Sequence, residues 1–392
     1  MSIGPKSGRL IPLDVLRGLM LVFMAVDHIP NALQIATNHV FGFVSAAEGF
    51  VFLAGLLAGY VYTRKLRRDS FTIVQAASLR RACQIYGYHL AAYAALFAWT
   101  IAFTLHTASP PDNAPTLMHR SPWDALWAGA LLVYQPGKLD VLPMYCGLIL
   151  ATPFVLRLLE RGWRARILAG SLAAWALTNC YVPQTPFIEG VINTGAFNLG
   201  AWQFPFVLGL VFGHAWAREE KILPAPRSGL IGLIVIAAGL LWAVRHAFIG
   251  EVWPRPRLDW LTNKNNLAPL RLLDAAMVGY LIYLVIARFP RLLQWRPLAF
   301  LGRHSLPVFS VHTVVVGVLL SLPGVFVQTA AGRWLALAGL LGGMFATAGI
   351  HHWLTVKRPP APDRLRTRQL WIARPFVHHG KRQIGAANPV HR

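Results

Sequence analysis

The sequence predicts an all-α, polytopic integral membrane protein of about ten transmembrane helices with N- and C-termini on the cytoplasmic side. Three observations predict it. Only 13% of the residues are charged and 55% are hydrophobic, whereas a soluble domain carries about a quarter charged residues. Apolar runs near span length recur along the chain, and about 20 residues suffice to cross about 30 Å of hydrocarbon. Basic residues crowd alternate connections, the pattern that orients a multi-pass protein.

The runs fall at about 11–30, 42–62, 82–105, 138–158, 167–183, 200–217, 228–247, 269–288, 298–320 and 333–354. The first is no cleavable signal peptide, because Asp14 and Arg17 interrupt its apolar stretch and further spans follow. The second ends at the basic segment Arg64–Asp69, and the fourth at Glu160–Arg166. Ala217–Lys221 closes the sixth and Arg288–Arg291 the eighth. With the N-terminus, these loops and the tail inside, about 29 of the 37 Lys and Arg lie on the cytoplasmic side. The opposite side holds Arg120, Lys138, Arg245, Arg255, Arg257, Lys264, Arg271 and Arg333. Residues 1–355 form one integral domain, and 356–392 read as a basic, disordered cytoplasmic tail.

The net charge of +22 would suit nucleic acid, but topology and anionic lipid account for it, so no nucleic-acid partner is expected. The partner that the composition does require is the lipid bilayer. Cys83, Cys146 and Cys180 show neither metal-ligand spacing nor a disulfide framework, and no metal site is expected. Gly55 with Gly59, and Gly209 with Gly213, have the four-residue spacing that lets helices pack closely.

The first span, "LDVLRGLMLVFMAVDH" (13–28), carries Asp14, Arg17, Asp27 and His28. Each charge near a bilayer centre costs several kcal/mol, so such groups mark function. At about 100° per residue, Arg17 and His28 lie about 20° apart on the helix, with Asp14 between about 40° and 60° away. The three share a stripe facing other helices, and Asp27 borders it. Arg17 and His28 are separated by about 16 Å of rise. Asp14 and Arg17 admit two readings, a buried ion pair that locks packing or a contact to substrate.

The second span, "SAAEGFVFLAGLLAGYVY" (45–62), places Glu48 at the depth of Asp27 and His28. Carboxylates beside a histidine orient the imidazole and raise its basicity, which suits deprotonation of a hydroxyl that attacks an acyl group. His28, Asp27 and Glu48 are therefore the catalytic candidates. His304 and His312, read as one helix, lie about 80° apart, and either channel or packing roles fit them. Lys138 and Asp140 open the fourth span, where they could reach an acceptor or cap a helix. The outer loop "WPRPRLDWLTNKNN" (253–266) offers Trp260, Asn263, Asn265 and Asn266 to sugar hydroxyls, and Arg255 and Arg257 to an acyl carboxylate or a headgroup.

These segments resemble the OpgC family within the membrane-bound acyltransferases of family 3 type. The resemblance rests on the two quoted spans together with "KLDVLPMYCGLIL" (138–150), "AWQFPFVLGLVFG" (201–213) and "LGRHSLPVFSVHT" (301–313), in family order over about 8–350. It implies transfer of an acyl group, succinyl by family, from cytoplasmic acyl-CoA to sugar hydroxyls of a periplasmic glucan at the bacterial inner membrane. Acyl-CoA would be a substrate, with no bound cofactor. His28 takes the family's histidine role and Arg17 that of its arginine. The wider superfamily's Arg-x-x-Arg-Ile motif is replaced by "LRRACQIYGYH" (79–89), which leaves Arg80 and Arg81 as donor-binding candidates or simple positive-inside anchors. A covalent acyl-histidine is a variant of the mechanism. Another envelope saccharide as acceptor is one alternative reading, and a transporter using the intramembrane charges is another. Oligomeric state stays open, a homodimer included.

Overall fold

The computed structural model describes residues 11–38, 41–109, 111, 121–133, 135, 138–181, 197–220, 227–246, 260–322 and 329–356. Arg255, Arg257 and the tail beyond Val356 lie outside these. Thirteen α-helices and no strand occur among the described residues. They are α1 (Ile11–His28), α2 (Gln34–Thr37), α3 (Ala46–Leu66), α4 (Phe71–Thr107), α5 (Pro122–Ala130), α6 (Val141–Glu160), α7 (Arg164–Tyr181), α8 (Leu199–Ala217), α9 (Ser228–Arg245), α10 (Pro269–Arg288), α11 (Arg296–Arg303), α12 (Ser305–Ser321) and α13 (Ala330–Val356). Among the described residues, those from Ile11 to His351 cluster as one compact unit, apart from His352–Val356.

Each of the ten expected runs falls on a helix, but fewer qualify as spans. Six described helices are long and apolar enough to cross a membrane, or seven if a bent pair counts as one. These helices suggest a membrane protein. α1 is not among the six, and its own charges, Asp14, Arg17 and Asp27, are what set it apart. The expected ninth span is two helices, α11 and α12, bent by 84° at His304. A single helical wheel therefore does not relate His304 to His312. The third run begins far earlier than expected, at Phe71, so Arg80 and Arg81 lie inside α4 rather than in a loop. No proline or glycine interrupts Phe71–Tyr86, so nothing in the sequence stops that helix.

The four spaced glycines meet across one crossing. A side chain at Gly55 would strike the carbonyl oxygen of Phe206, and one at Gly59 that of Leu210. Gly209 and Gly213 stand likewise against the carbonyls of Phe52 and Leu56. α3 and α8 thus touch backbone to backbone and run parallel. α1 has a similar seam with α11, where Gly18 abuts the Leu298 carbonyl and Gly302 the Asp14 carbonyl.

Backbone polar groups freed inside the unit find partners, as an apolar surrounding demands. Pro153 lies inside α6 and has no N–H to donate to Ile149, four residues before it. The Ser78 hydroxyl from α4 donates to that Ile149 carbonyl instead, at 2.6 Å. Leu21, Ile29, Trp202, Phe206, Leu156 and Leu301 form part of the central apolar core between these helices. α9 buries no residue of its own and keeps its apolar side chains on the outside of the bundle.

Candidate active site

α1 and α12 are joined at two levels. At one, the Arg17 Nη2 group donates a short hydrogen bond to the Ser305 hydroxyl. At the other, His28 Nδ1 lies 3.2 Å from His312 Nε2, within hydrogen-bond distance. The two imidazoles are nearly parallel, 12° apart, with centroids at 5.0 Å. His312 is fully buried, and its Nδ1 has no hydrogen-bond partner among the described residues. Arg17 and His28, two of the three residues of the stripe expected on α1, thus both face α12.

Aromatic rings fill the space between the two levels. The Arg17 guanidinium lies 5.8 Å from the centroid of Phe50, which neighbours Phe309 at 6.3 Å and Tyr145 at 6.2 Å. Phe309 neighbours His312 in turn at 6.1 Å. The Tyr145 hydroxyl is buried without a partner among the described residues. Arg81 acts on Arg17 as a like charge, and the Asp14 carboxylate acts on it in the opposite sense. Asp14 also lies 3.7 Å from Arg303. Asp14, which the ion-pair reading assigns to Arg17, thus also meets a second guanidinium, that of Arg303. Arg80, in contrast, is exposed, and Arg81 also donates to Gln84 at 2.7 Å.

The carboxylates expected to orient His28 are engaged elsewhere. Glu48 accepts from the backbone and hydroxyl of Ser45, at 2.9 and 2.6 Å, closing a capping box at the start of α3. Its other oxygen accepts from Arg271 Nε at 2.7 Å, in a pair with side-chain exposures of 2% and 5%. Asp27 accepts from Thr37 at 2.6 Å and ties α2 to the end of α1. Neither carboxylate touches His28. The residue that does is His312, one of two histidines for which a packing role stood equally open. Its signal was present in "SVHT", a histidine within an apolar run, but a partner 284 residues away leaves no trace in periodicity. The other, His304, meets His351 at 2.8 Å near the α11–α12 bend.

Lys138 and Lys264 bring positive charge to this end. Both act on His28, and Lys138 acts also on His312. Asp140 is buried at the start of α6 and makes no side-chain capping bond to it. Trp260 is exposed. Asn263 accepts from the Asn266 N–H at 3.2 Å, and Asn266 accepts from the Asn198 side chain at 3.1 Å. Trp202 Nε1 donates to the carbonyls of Lys264 and Asn265 at 3.0 and 3.1 Å. These asparagines therefore build the turn that precedes α10.

The arrangement supplies an imidazole in contact with a second, buried imidazole, and a guanidinium, that of Arg17, three helical turns away along α1. The family model described as OpgC protein matches residues 9–356. No curated protein and no solved structure matches the chain.

Proposed function

Because the chain belongs to the OpgC family, which suggests an acyltransferase-like role on glucans, we propose that it is an inner-membrane O-acyltransferase. It moves an acyl group, succinyl by family, from cytoplasmic acyl-CoA to hydroxyls of a periplasmic glucan, with His28 as general base. The observation that carries the reading is the contact of His28 with buried His312.

The chemistry follows from the tautomers. If His28 Nδ1–H donates to His312 Nε2, the Nε2 lone pair of His28 is free to accept a proton. An acceptor hydroxyl gives its proton to that nitrogen as its oxygen bonds to the thioester carbonyl carbon. The carbon–sulfur bond then breaks, and the CoA thiolate leaves with the proton returned by His28. The His312 ring holds the imidazole of His28 in the tautomer this needs.

At the other level, Arg17 carries positive charge into the bundle and half-buried Arg81 acts on it as a like charge. An anionic donor relieves their mutual repulsion and gains charge-assisted hydrogen bonds. The rise of about 16 Å between Arg17 and His28 is the distance that an extended arm of the donor would cover, along the rings of Phe50 and Phe309.

The test is transfer by purified protein. His28→Ala should remain folded and lose about 10²- to 10⁴-fold in rate, the usual worth of a positioned base. Arg17→Gln should raise the apparent KM for acyl-CoA more than it lowers kcat. Near-normal transfer by a folded His28→Ala protein would remove the reading.

A further inference from the structure

α6 ends on two arginines that no carboxylate among the described residues pairs with. Phe154, Arg157, Leu158 and Arg161 line an open groove of about 450 Å³. At about 100° per residue, the four fall within about 100° of one another on one face of the helix. The Arg157 guanidinium stands 4.8 Å from the centroid of the Phe71 ring, at the start of α4. Phe71 in turn meets Phe154 edge-on at 6.0 Å. The ring holds Arg157 in place without neutralising it. Neither arginine makes a side-chain hydrogen bond or ion pair among the described residues. Glu160, between them in sequence, is turned to α8 instead. It accepts there from Arg218 at 2.8 Å and lies 3.1 Å from His214 Nε2.

We propose that this groove binds one anionic phospholipid, with its phosphate between Arg157 and Arg161 and an acyl chain along Phe154 and Leu158. Planar guanidinium forks match phosphate oxygens and give them charge-assisted hydrogen bonds. A soluble phosphate would be the other source of such an anion. The order of the residues along α6 selects the lipid. Val141–Glu160 is long and apolar enough to cross a membrane, so its last turn reaches the headgroup level. Arg157 and Arg161 stand at that level. Phe154 lies about one turn deeper and is 55% exposed. Cation at the headgroups with apolar surface beneath is the order in which a phospholipid presents phosphate and chain. A soluble anion gains nothing from Phe154. The sequence assigns this end of α6 to the cytoplasm, the side on which basic pockets bind anionic headgroups. Such binding is independent of the reaction that the bundle carries out.

The experiment is native mass spectrometry of the purified full chain in detergent, with phosphatidylglycerol or phosphatidylcholine added. The wild type should retain one phosphatidylglycerol in preference to phosphatidylcholine, whose ammonium cancels its phosphate charge. Arg157→Gln with Arg161→Gln should weaken that retention at least about tenfold, the worth of one charge-assisted contact. Arg161→Gln alone breaks no hydrogen bond or ion pair among the described residues, so it should fold as the wild type does and lose part of the retention. Phe154→Ser should weaken retention with no change of charge. Arg288→Gln with Arg291→Gln removes the same charge at the same expected membrane face and should leave retention as it was. Equal retention of the two lipids by the wild type overturns the proposal, as does unchanged retention in any of the three folded groove variants. An equal loss in the Arg288 and Arg291 variant would mark a general charge effect and overturn it. Glycerol phosphate, which has the phosphate without chains, should not displace the lipid; displacement would identify a soluble-phosphate site and overturn it too. A raised KM for acyl-CoA in the double groove variant, with lipid retention intact, would put the donor's phosphates in the groove and overturn it as well.

Discussion

Replacing Arg271 with Met should destabilise the protein far more than replacing Arg271 and Glu48 together. The Nε–Oε1 distance is 2.7 Å, and neither side chain is more than 5% exposed. Removing the guanidinium alone strands a buried carboxylate, a loss of about 3–5 kcal/mol. Glu48→Leu with Arg271→Met removes both charges and fills similar volume, which is commonly neutral. What remains missing is Glu48's part in the capping box with Ser45, about 1 kcal/mol. The double variant should therefore recover most of the single variant's loss. The assay is thermal unfolding of the detergent-solubilised protein followed by size exclusion, with acyl transfer measured well below the midpoint. A double variant no more stable than Arg271→Met would refute the assignment of the pair as structural. A stable double variant whose transfer falls a hundredfold would return Glu48 or Arg271 to the chemistry.

Three further outcomes follow from the packing and the surface charges. Ser78→Ala should cost about 1–3 kcal/mol by leaving the Ile149 carbonyl unpaired, but much less in a Pro153→Ala background, where an N–H at 153 can serve it; equal costs in both backgrounds, by denaturant titration, would remove the link. Gly55→Val should abolish the folded monodisperse species in size exclusion, since its side chain meets the Phe206 carbonyl, whereas Gly239→Val on α9, where a Cβ meets nothing, should leave it intact. The Arg164 hydrogen bond, with Arg218 beside it, holds Glu220 below the usual carboxylate range. A depressed folded-state value stabilises above the unfolded one and the gain is lost as pH falls through the folded one. Glu220→Gln should thus cost a little stability at neutral pH, and the difference should vanish in acid; a difference that grows in acid would reverse the sign.

Much of the helix plan was legible because apolar run length is a local property. The stripe of Arg17 and His28 was legible for the same reason, since one helix obeys one period. Glu48 shows a different kind of miss. Ser45-x-x-Glu48 is a capping box visible in the sequence, yet an acid in an apolar run at the depth of a histidine is equally a catalytic pattern. Arg271, its partner, lies 223 residues away, and in the sequence it shows only as an outer-side charge. The start of α4 was misplaced because basic residues look alike in a loop and in a helix that extends past the membrane. The bend at His304 lay between Gly302 and Pro307, both visible, but a continuous apolar run outweighed them. His312 could not be singled out, because what distinguishes it from a packing histidine is the ring it meets on α1.

The α3–α8 crossing bears on how the site is kept in place. Two helices in backbone contact over two turns have no side chains between them to change rotamer, so the pair behaves as one beam. At one end this beam carries Glu48, which holds Arg271 on α10, and Trp202, which holds the turn bearing Lys264. At the other it carries His214 and Arg218, both on Glu160 of α6, the helix that follows Lys138. The ordering entropy of these attachments is then met once, at folding, and not at each catalytic cycle. Loosening the glycines should show itself as slower turnover before it shows as lost substrate affinity.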